Sequence, residues 1–441
     1  MALRTIDQPD PASLPNYPVP APAGPAFQPS YPGADPTEVA EIYVIGAAVT
    51  GVYSDWESVW VQQRWKEAYP TFRFVATERD PIPNLWQRLP ILPKDSVLIK
   101  LGGQIAITGI VVVRQTAYDA NSHSVSIQGH GEQWLVWRGA ILDKSQHFDG
   151  NFVSIATQVL APFGVTPEVI GTIDPTPLPN GANNDTGETV WSFLERLGKQ
   201  YNVILGNNWQ GAKEGGILLI GDHTANVVDE LVEGVNIKSC QCVINILDWF
   251  SEYAARAQGM RSDGGSPAGA AQLEAVVLSK IWQRYSPLLV PAEFPIQTQD
   301  LIDARAKFEA NQSDGAYIQV TVTLYGWFTS RGVLWSHCVG QDVIFSSPMT
   351  TLVGETLSIM TVTQTQDRES GTQTTLELVA PWHLNDYSMS PNTSSQLNPQ
   401  PNQIQQNPGT PAPTGTQVPN PPAPNGSQSF SDRSGSMFQN P

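Results

Sequence analysis

The hydrophobic pattern of this chain changes period and then changes back, which constrains its fold more than any other feature. Ile318, Val320, Val322 and Leu324 alternate with Gln319, Thr321 and Thr323, a period of two that suits a strand with one buried and one wet face. His123 to Gly129 repeats the pattern, with Val125 and Ile127 set against Ser124, Ser126 and Gln128. Between these segments, Phe152, Ile155, Ala156, Val159, Leu160 and Phe163 recur at three- and four-residue spacings, the stripe of an amphipathic helix, and Gly164 follows as a C-terminal cap. A chain patterned this way is expected to be α+β and mostly β, with helices between two β units.

Around these anchors, Ile42 to Val52, Phe72 to Thr77, Val97 to Leu101 and Ile105 to Val113 predict strands, and a helix is expected around Trp56 to Ala68. The first β unit reads as a compact barrel or sandwich. A second amphipathic helix is predicted to open at Asp185 or Thr186. Glu188 would complete its capping box, and Val190, Trp191, Phe193, Leu194, Leu197 and Tyr201 would form its buried side. Strands at Asn202 to Leu205 and Ile217 to Ile220 would finish a small α/β unit.

Signals weaken beyond it, with strands at Phe250 to Gln258 and Ala275 to Arg284 flanking an exposed loop, Ser262 to Gly269. A helix capped by Thr298, with Ala304 and Phe308 inward, leads into the Ile318 strand. Val339 to Phe345, Leu357 to Thr365 and Thr374 to Val379 then close a second β unit.

The 441 residues suffice for two to four domains. Ten prolines fall before residue 37, and from Ser388 to Pro441 only Asp432 and Arg433 are charged, so the ends read as a polyproline-like arm and a disordered tail. The expected division is a Pro-rich arm (1–36), a first barrel-like domain (37–141), an α/β domain (142–235), a second barrel-like domain with a helical insertion (236–387) and the tail (388–441).

A formal charge of −17, from 41 acidic and 24 basic side chains, opposes stable gripping of nucleic acid or anionic lipid, although DNA could slide past such a surface. Three cysteines, Cys240, Cys242 and Cys338, make no disulfide framework and imply assembly in a reducing cytoplasm. The N-terminus lacks the apolar core of a signal peptide, and no apolar run reaches the length of a membrane span, so neither export signal nor membrane insertion is expected.

Catalytic constellations are sparse. Glu188 and Glu195 lie seven apart and could serve as paired carboxylates, but helix capping explains the first and a solvated face the second. His123, His130, His147, His223, His337 and His383 are scattered without ligand spacing, and the Cys240, Cys242 pair reads as small buried hydrophobes, so no metal is expected. Gly102-Gly103 and Gly215-Gly216 read as hairpin turns because no Lys-Ser/Thr and no helix follows them. No Gly-x-Ser-x-Gly elbow occurs. Neither a catalytic residue nor a cofactor is assigned.

Taken in order, several segments resemble the baseplate hub family of Mu-like contractile-tail phages, akin to the late control protein D group and to the hub half of type VI secretion spikes. They are Tyr118-Asp119 with His123 to Gly129; Phe152 to Ala156 with Phe163-Gly164; and Gly187 to Leu197. Glu233 to Asn236, Arg284 to Pro287, Val322 to Trp327, Gly332 to Trp335, and Thr372 to Leu378 with Pro381 continue the series across residues 40 to 385.

The resemblance implies two tail-tube-like β-barrel domains joined by α/β segments. It also implies a homotrimeric ring in the virion baseplate, joining the tail tube or tape-measure protein to a central spike. Baseplate wedge proteins are implied neighbours, and DNA would pass only transiently. It implies no catalytic residue. The competing readings are a tail-associated peptidoglycan hydrolase with Glu188 or Glu195 as acid, and a carbohydrate-binding adhesin using exposed aromatics such as Trp209.

Overall fold

The computed structural model describes residues 38–45, 50–54, 56–77, 91–119, 123–142, 146–207, 216–257, 273–279, 281–291 and 298–385. All lie in the first of two compact units, Met1–Ser395. The expected arm (1–36) and tail (388–441), the loop Ser262 to Gly269, Gly215 and Trp209 fall outside the described residues.

The first β unit comprises β1 (Ala40–Ile45), β2 (Thr50–Tyr53), β3 (Ser58–Arg64), β4 (Thr71–Thr77), β5 (Ser96–Leu101), β6 (Gln104–Tyr118) and β7 (His123–Gly131). They pair in the order β2-β1-β5-β6-β7-β4-β3. The run Ile42 to Val52 is therefore two strands folded on each other, with Ile42 opposite Tyr53. Leu101 pairs with Gln104 across Gly102 and Gly103, whose φ values of 56° and 82° give the two-residue hairpin turn that the sequence predicts.

The helix expected around Trp56 to Ala68 is instead β3. Val59, Val61 and Gln63 are buried while Trp60, Gln62 and Arg64 are half-buried, a period of two, and β-branched valines suit that inner face. The face of β7 assigned to water is also partly enclosed, because Ser126 is buried and accepts a 3.4 Å hydrogen bond from Arg73. Ile42 and Val44 of β1 share one core with Val59 and Val61 of β3, so the sheet curls until its distant strands face a common interior.

The central segment contains α1 (Trp134–Arg138), β8 (His147–Gly150), α2 (Phe152–Leu160), β9 (Pro167–Ile170), β10 (Leu178–Asn183), α3 (Val190–Gly198), β11 (Ile204–Asn207) and β12 (Ile217–Ile220). The predicted stripe of α2 is buried, and Gly164 adopts φ 70° beyond the short turn that follows the helix. The α3 stripe is buried as well, but the helix starts later than expected. Thr189 caps it by accepting the Ser192 N–H at 3.2 Å. Gly187 has φ 88°, outside helical geometry, so no helix can run through it from Asp185.

The remaining elements are β13 (Val227–Val232), β14 (Ile237–Ile244), β15 (Glu252–Ala257), β16 (Leu273–Leu278), β17 (Pro287–Pro291), α4 (Gln299–Gly315), β18 (Ile318–Tyr325), β19 (Asp342–Ser347), β20 (Leu352–Asp367) and β21 (Gly371–Val379). Ile318, Val320, Val322 and Leu324 are buried, as their alternation requires. Helix α4 buries Leu301, Ile302, Ala306 and Ala310, leaving the expected Ala304 and Phe308 only half-buried. Its inner face is chosen by packing with Ala255 of β15 and Ala275 of β16. Thr298 holds the cap position without a capping hydrogen bond from its side chain.

The two β units are not separate closed barrels. Strand β20 pairs with β3 from Thr361 opposite Arg64 to Asp367 opposite Ser58, uniting them in one 13-stranded open sheet. With β4 on its other side, β3 has both edges occupied and cannot pair with β2 to close the first unit. Gln62 reinforces the seam by donating to Thr363 Oγ1 at 2.9 Å.

Candidate assembly surface

A long open sheet ends in strands whose outward N–H and C=O groups seek partners. Most free edges here are blunted. Strand β2 is short, β17 carries Pro287 and Pro291, which cannot donate, and β13 carries Asp229 and Glu230. Strands β14 and β16 differ: among the described residues each pairs with one strand alone, contains no proline and carries a single charge, and β14, charged only at Lys238, ends the 13-stranded sheet. Val243 and Ile244 are each 44% exposed, and the adjoining Ile246 and Leu247 extend the apolar surface. An unprotected edge beside exposed aliphatic side chains is suited to pairing with another chain.

The cysteines occupy different surroundings. Cys240 is exposed on β14 and Cys242 half-buried, so the expectation that this pair is buried is corrected; only Cys338 is buried. Edge position is the reason, since β14 has sheet on one side alone. Although Cys240 is open to solvent, partial desolvation of its thiol against the sheet, together with the neighbouring Cys242 and Glu233, pushes that thiol up to about 11. Among the described residues no three His, Cys, Asp or Glu side chains converge to hold a metal. His337 contacts the Ile105 carbonyl at 2.6 Å, and Cys338 points at the Leu334 carbonyl.

Glu188 and Glu195 do not share a helix face, because Glu188 precedes α3. Arg196 grips Glu188 through two hydrogen bonds of 2.9 and 2.8 Å, and the Asp185 N–H donates a third at 2.9 Å. Burial alone would raise the Glu188 carboxyl, but these bonds and the Arg196 charge outweigh it and hold the group below its ordinary range. That is opposite to the shift a general acid needs. Glu195 lines a separate cavity with Lys66 and Lys199.

Residues 135–213 match the second domain of the baseplate hub protein gp44-like family, and residues 45–131 match the N-terminal domain of the Mu phage baseplate assembly protein GpP-like family. Over 252 residues the chain is 26% identical to the baseplate hub protein gp44 of Escherichia phage Mu. The chain is similar to the Mu-like baseplate hub proteins. The alignment covers 56% of this chain and 65% of the phage Mu protein, slightly under two thirds of the latter.

Its fold is similar to the 43 kDa tail protein of prophage MuSo2 from Shewanella oneidensis, with a TM-score of 0.64 and 20% identity, covering 79% of this chain and 100% of that one. It is also similar to the tail protein from Neisseria meningitidis MC58, with a TM-score of 0.61 and 20% identity, covering 79% and 98% of the two chains. The chain thus shares its mostly β architecture with phage tail proteins. Among its described residues, no helix is long and apolar enough to cross a membrane.

The β14 edge is hidden in the sequence because Ser239, Cys240, Gln241 and Cys242 interrupt its apolar periodicity. A usable signal was present in the proline-free, nearly uncharged run that ends in Val243 and Ile244.

Proposed function

We propose that this chain is the structural hub of a contractile-tail baseplate, acting as a trimeric ring between the tail tube and the central spike. The observation that carries the reading is the unprotected β14 edge at one end of an open sheet whose other end is β2. Contact between β14 and a different surface of the next copy is heterologous and closes into a ring when the rotation between copies permits it. Closure would satisfy the outward backbone groups of β14 and cover Val243 and Ile244. The curled first unit and the opposing β18–β21 unit would supply two barrel-like walls per subunit, and three subunits would supply six.

A net charge of −17 suits a channel that DNA traverses without being held. The implied neighbours are a spike protein, a tube or tape-measure protein and baseplate wedge proteins, placing the chain in the virion tail. The hydrolase alternative is disfavoured by the paired, ionised state of Glu188.

Light scattering at micromolar concentration tests the reading. The wild-type chain should be trimeric, and Val243→Lys with Ile244→Lys should yield a monomer with unchanged circular dichroism. A wild-type monomer, or a trimer indifferent to both lysines, would overturn it.

A further inference from the structure

A cavity of about 240 Å³ lies between α3 and α4, lined by Lys66, Trp191, Glu195, Lys199, Phe308 and Gln312. It brings together an amine, a carboxamide and a carboxylate. The Lys66 Nζ donates to Gln312 Oε1 at 2.5 Å, across 246 positions of chain. With a C=O bond of about 1.23 Å, the Gln312 Cδ lies no more than about 3.7 Å from that nitrogen. Reacting atoms in a near-attack arrangement stand about 3 to 3.5 Å apart, so amine and carboxamide are close to one. The carboxamide is also held in place. Gln312 Nε2 donates to the His383 carbonyl at 3.2 Å, and the Gln312 main-chain carbonyl meets His383 Nδ1 at 3.0 Å. With its nitrogen engaged by His383, the side chain turns its oxygen towards Lys66.

Attack on an amide carbon requires the neutral amine. Lys66 is half-buried, and it forms no ion pair among the described residues. Desolvation pulls its amine down to about 7, so much of it is uncharged near neutral pH. Trp191 and Phe308 supply apolar walls. A proton must also move from the attacking nitrogen to the departing one. Glu195, exposed on α3, lines the same cavity and is the carboxylate able to carry it. It ion-pairs with neither lysine among the described residues, which leaves its oxygens open to a proton. Of the two amines in the cavity, Lys66 is the one hydrogen-bonded to Gln312 among the described residues.

We infer that Lys66 and Gln312 join in an isopeptide bond inside the α3–α4 cavity, with Glu195 carrying the proton. The Nζ lone pair attacks Gln312 Cδ. Glu195 takes one proton from that nitrogen and passes it to Nε2, whose bond to Cδ breaks and which departs as ammonia. One amide replaces another, and no oxidant or further reactant is consumed. The product ties the segment just after β3 to α4, a cross-link that restricts the unfolded chain over a long loop. An ammonium cannot attack, so protein purified and kept near about pH 5 retains the unlinked form, whose stability follows the Lys66 amine. The bond stands independently of the hub reading.

The test is denaturing intact-mass spectrometry of the full-length protein before and after incubation near about pH 8. Wild type should lose one ammonia, about 17 Da, and tryptic mapping should find the Lys66 and Gln312 peptides joined, with cleavage after Lys66 abolished. Lys66→Arg should keep its full mass. Glu195→Ala, with unchanged circular dichroism, should form the bond at least about tenfold more slowly, because the proton carrier is gone. An unchanged wild-type mass after prolonged incubation would overturn the proposal. Ammonia loss that maps to Lys199 or to any other pair, or bond formation in Glu195→Ala at the wild-type rate, would overturn it as well.

Discussion

Trp327, in the loop after β18, is fully buried in the core of the first β unit, and its backbone N–H donates at 3.1 Å to the carboxylate of Glu38, 289 positions earlier. Its indole Nε1 donates to the Thr365 carbonyl at 3.2 Å, beside the β3–β20 seam. The second unit thus sends one of the largest side chains in the molecule into the core of the first. Trp327→Ala should cost about 3 to 5 kcal/mol by the combined loss of burial and creation of a cavity. Urea unfolding followed by circular dichroism checks this. If the seam makes the units one cooperative body, a single transition should move to lower urea without splitting.

The Glu188–Arg196 pair should act on stability rather than catalysis. The Glu188 side chain is only 11% exposed, and truncation would leave the Arg196 guanidinium without its carboxylate. Glu188→Gln should therefore destabilise by about 2 kcal/mol near neutral pH. Because the folded carboxyl titrates below its ordinary value, its stabilising contribution is fully present above the unfolded value and is lost as pH falls through the folded one. The melting temperatures of wild type and variant should consequently converge in acid.

Lys66 and His383 make the region around Gln312 sensitive to pH. The folded values are about 7 for Lys66, against an ordinary 10.5, and about 3 for His383, against an ordinary 6.5. Burial is the main cause for both, and the Lys66 charge adds to the depression of His383. In each case the unfolded chain binds more protons between the two values, so stability rises with pH through that interval. The His383 contribution should be lost as pH falls from 6.5 towards 3. Lys66→Met should melt higher than wild type at neutral pH, with the gap narrowing as pH rises towards 10.5. Differential scanning calorimetry across the range reads both effects.

Maleimide labelling should separate the three thiols. Cys240 is exposed, Cys242 half-buried, and Cys338 buried, with burial foremost pushing its thiol up to about 12. Cys240 should react first and Cys338 only after unfolding, with the Cys240 rate rising as pH approaches its value of about 11. In a ring that pairs β14, Cys240 should be protected relative to the Val243→Lys, Ile244→Lys protein. Mass mapping after brief exposure measures the difference.

Gly340 has φ 79°, and an added Cβ would lie 2.3 Å from the Trp65 ring. Gly340→Ala should destabilise by about 1 to 3 kcal/mol, through backbone strain and displacement of Trp65 from the second core. Thermal melting checks it. Gly234→Ala, strained at φ 76° but free of steric contact at its Cβ, separates the backbone part from the clash.

By itself the sequence determined the local elements whose periodicity was undiluted. The stripes of α2 and α3, the alternation of β18 and the Gly102-Gly103 turn follow from side-chain spacing and allowed φ, and spacing is a property of neighbours in the chain. Where polar residues broke the pattern, as in β14, or where aromatic and charged residues hid it, as in β3, the local signal was insufficient. Only the tertiary structure decided that β3 would bond β20 instead of closing a barrel, since that choice lies between strand edges some 300 positions apart. The same holds for the unprotected β14 edge and for the cavity between α3 and α4. An edge is free or covered according to what lies beside it in space, and the amines of Lys66 and Lys199 meet in one cavity because three distant segments converge there. Local physics set the elements; long-range pairing and burial set which surfaces they leave open.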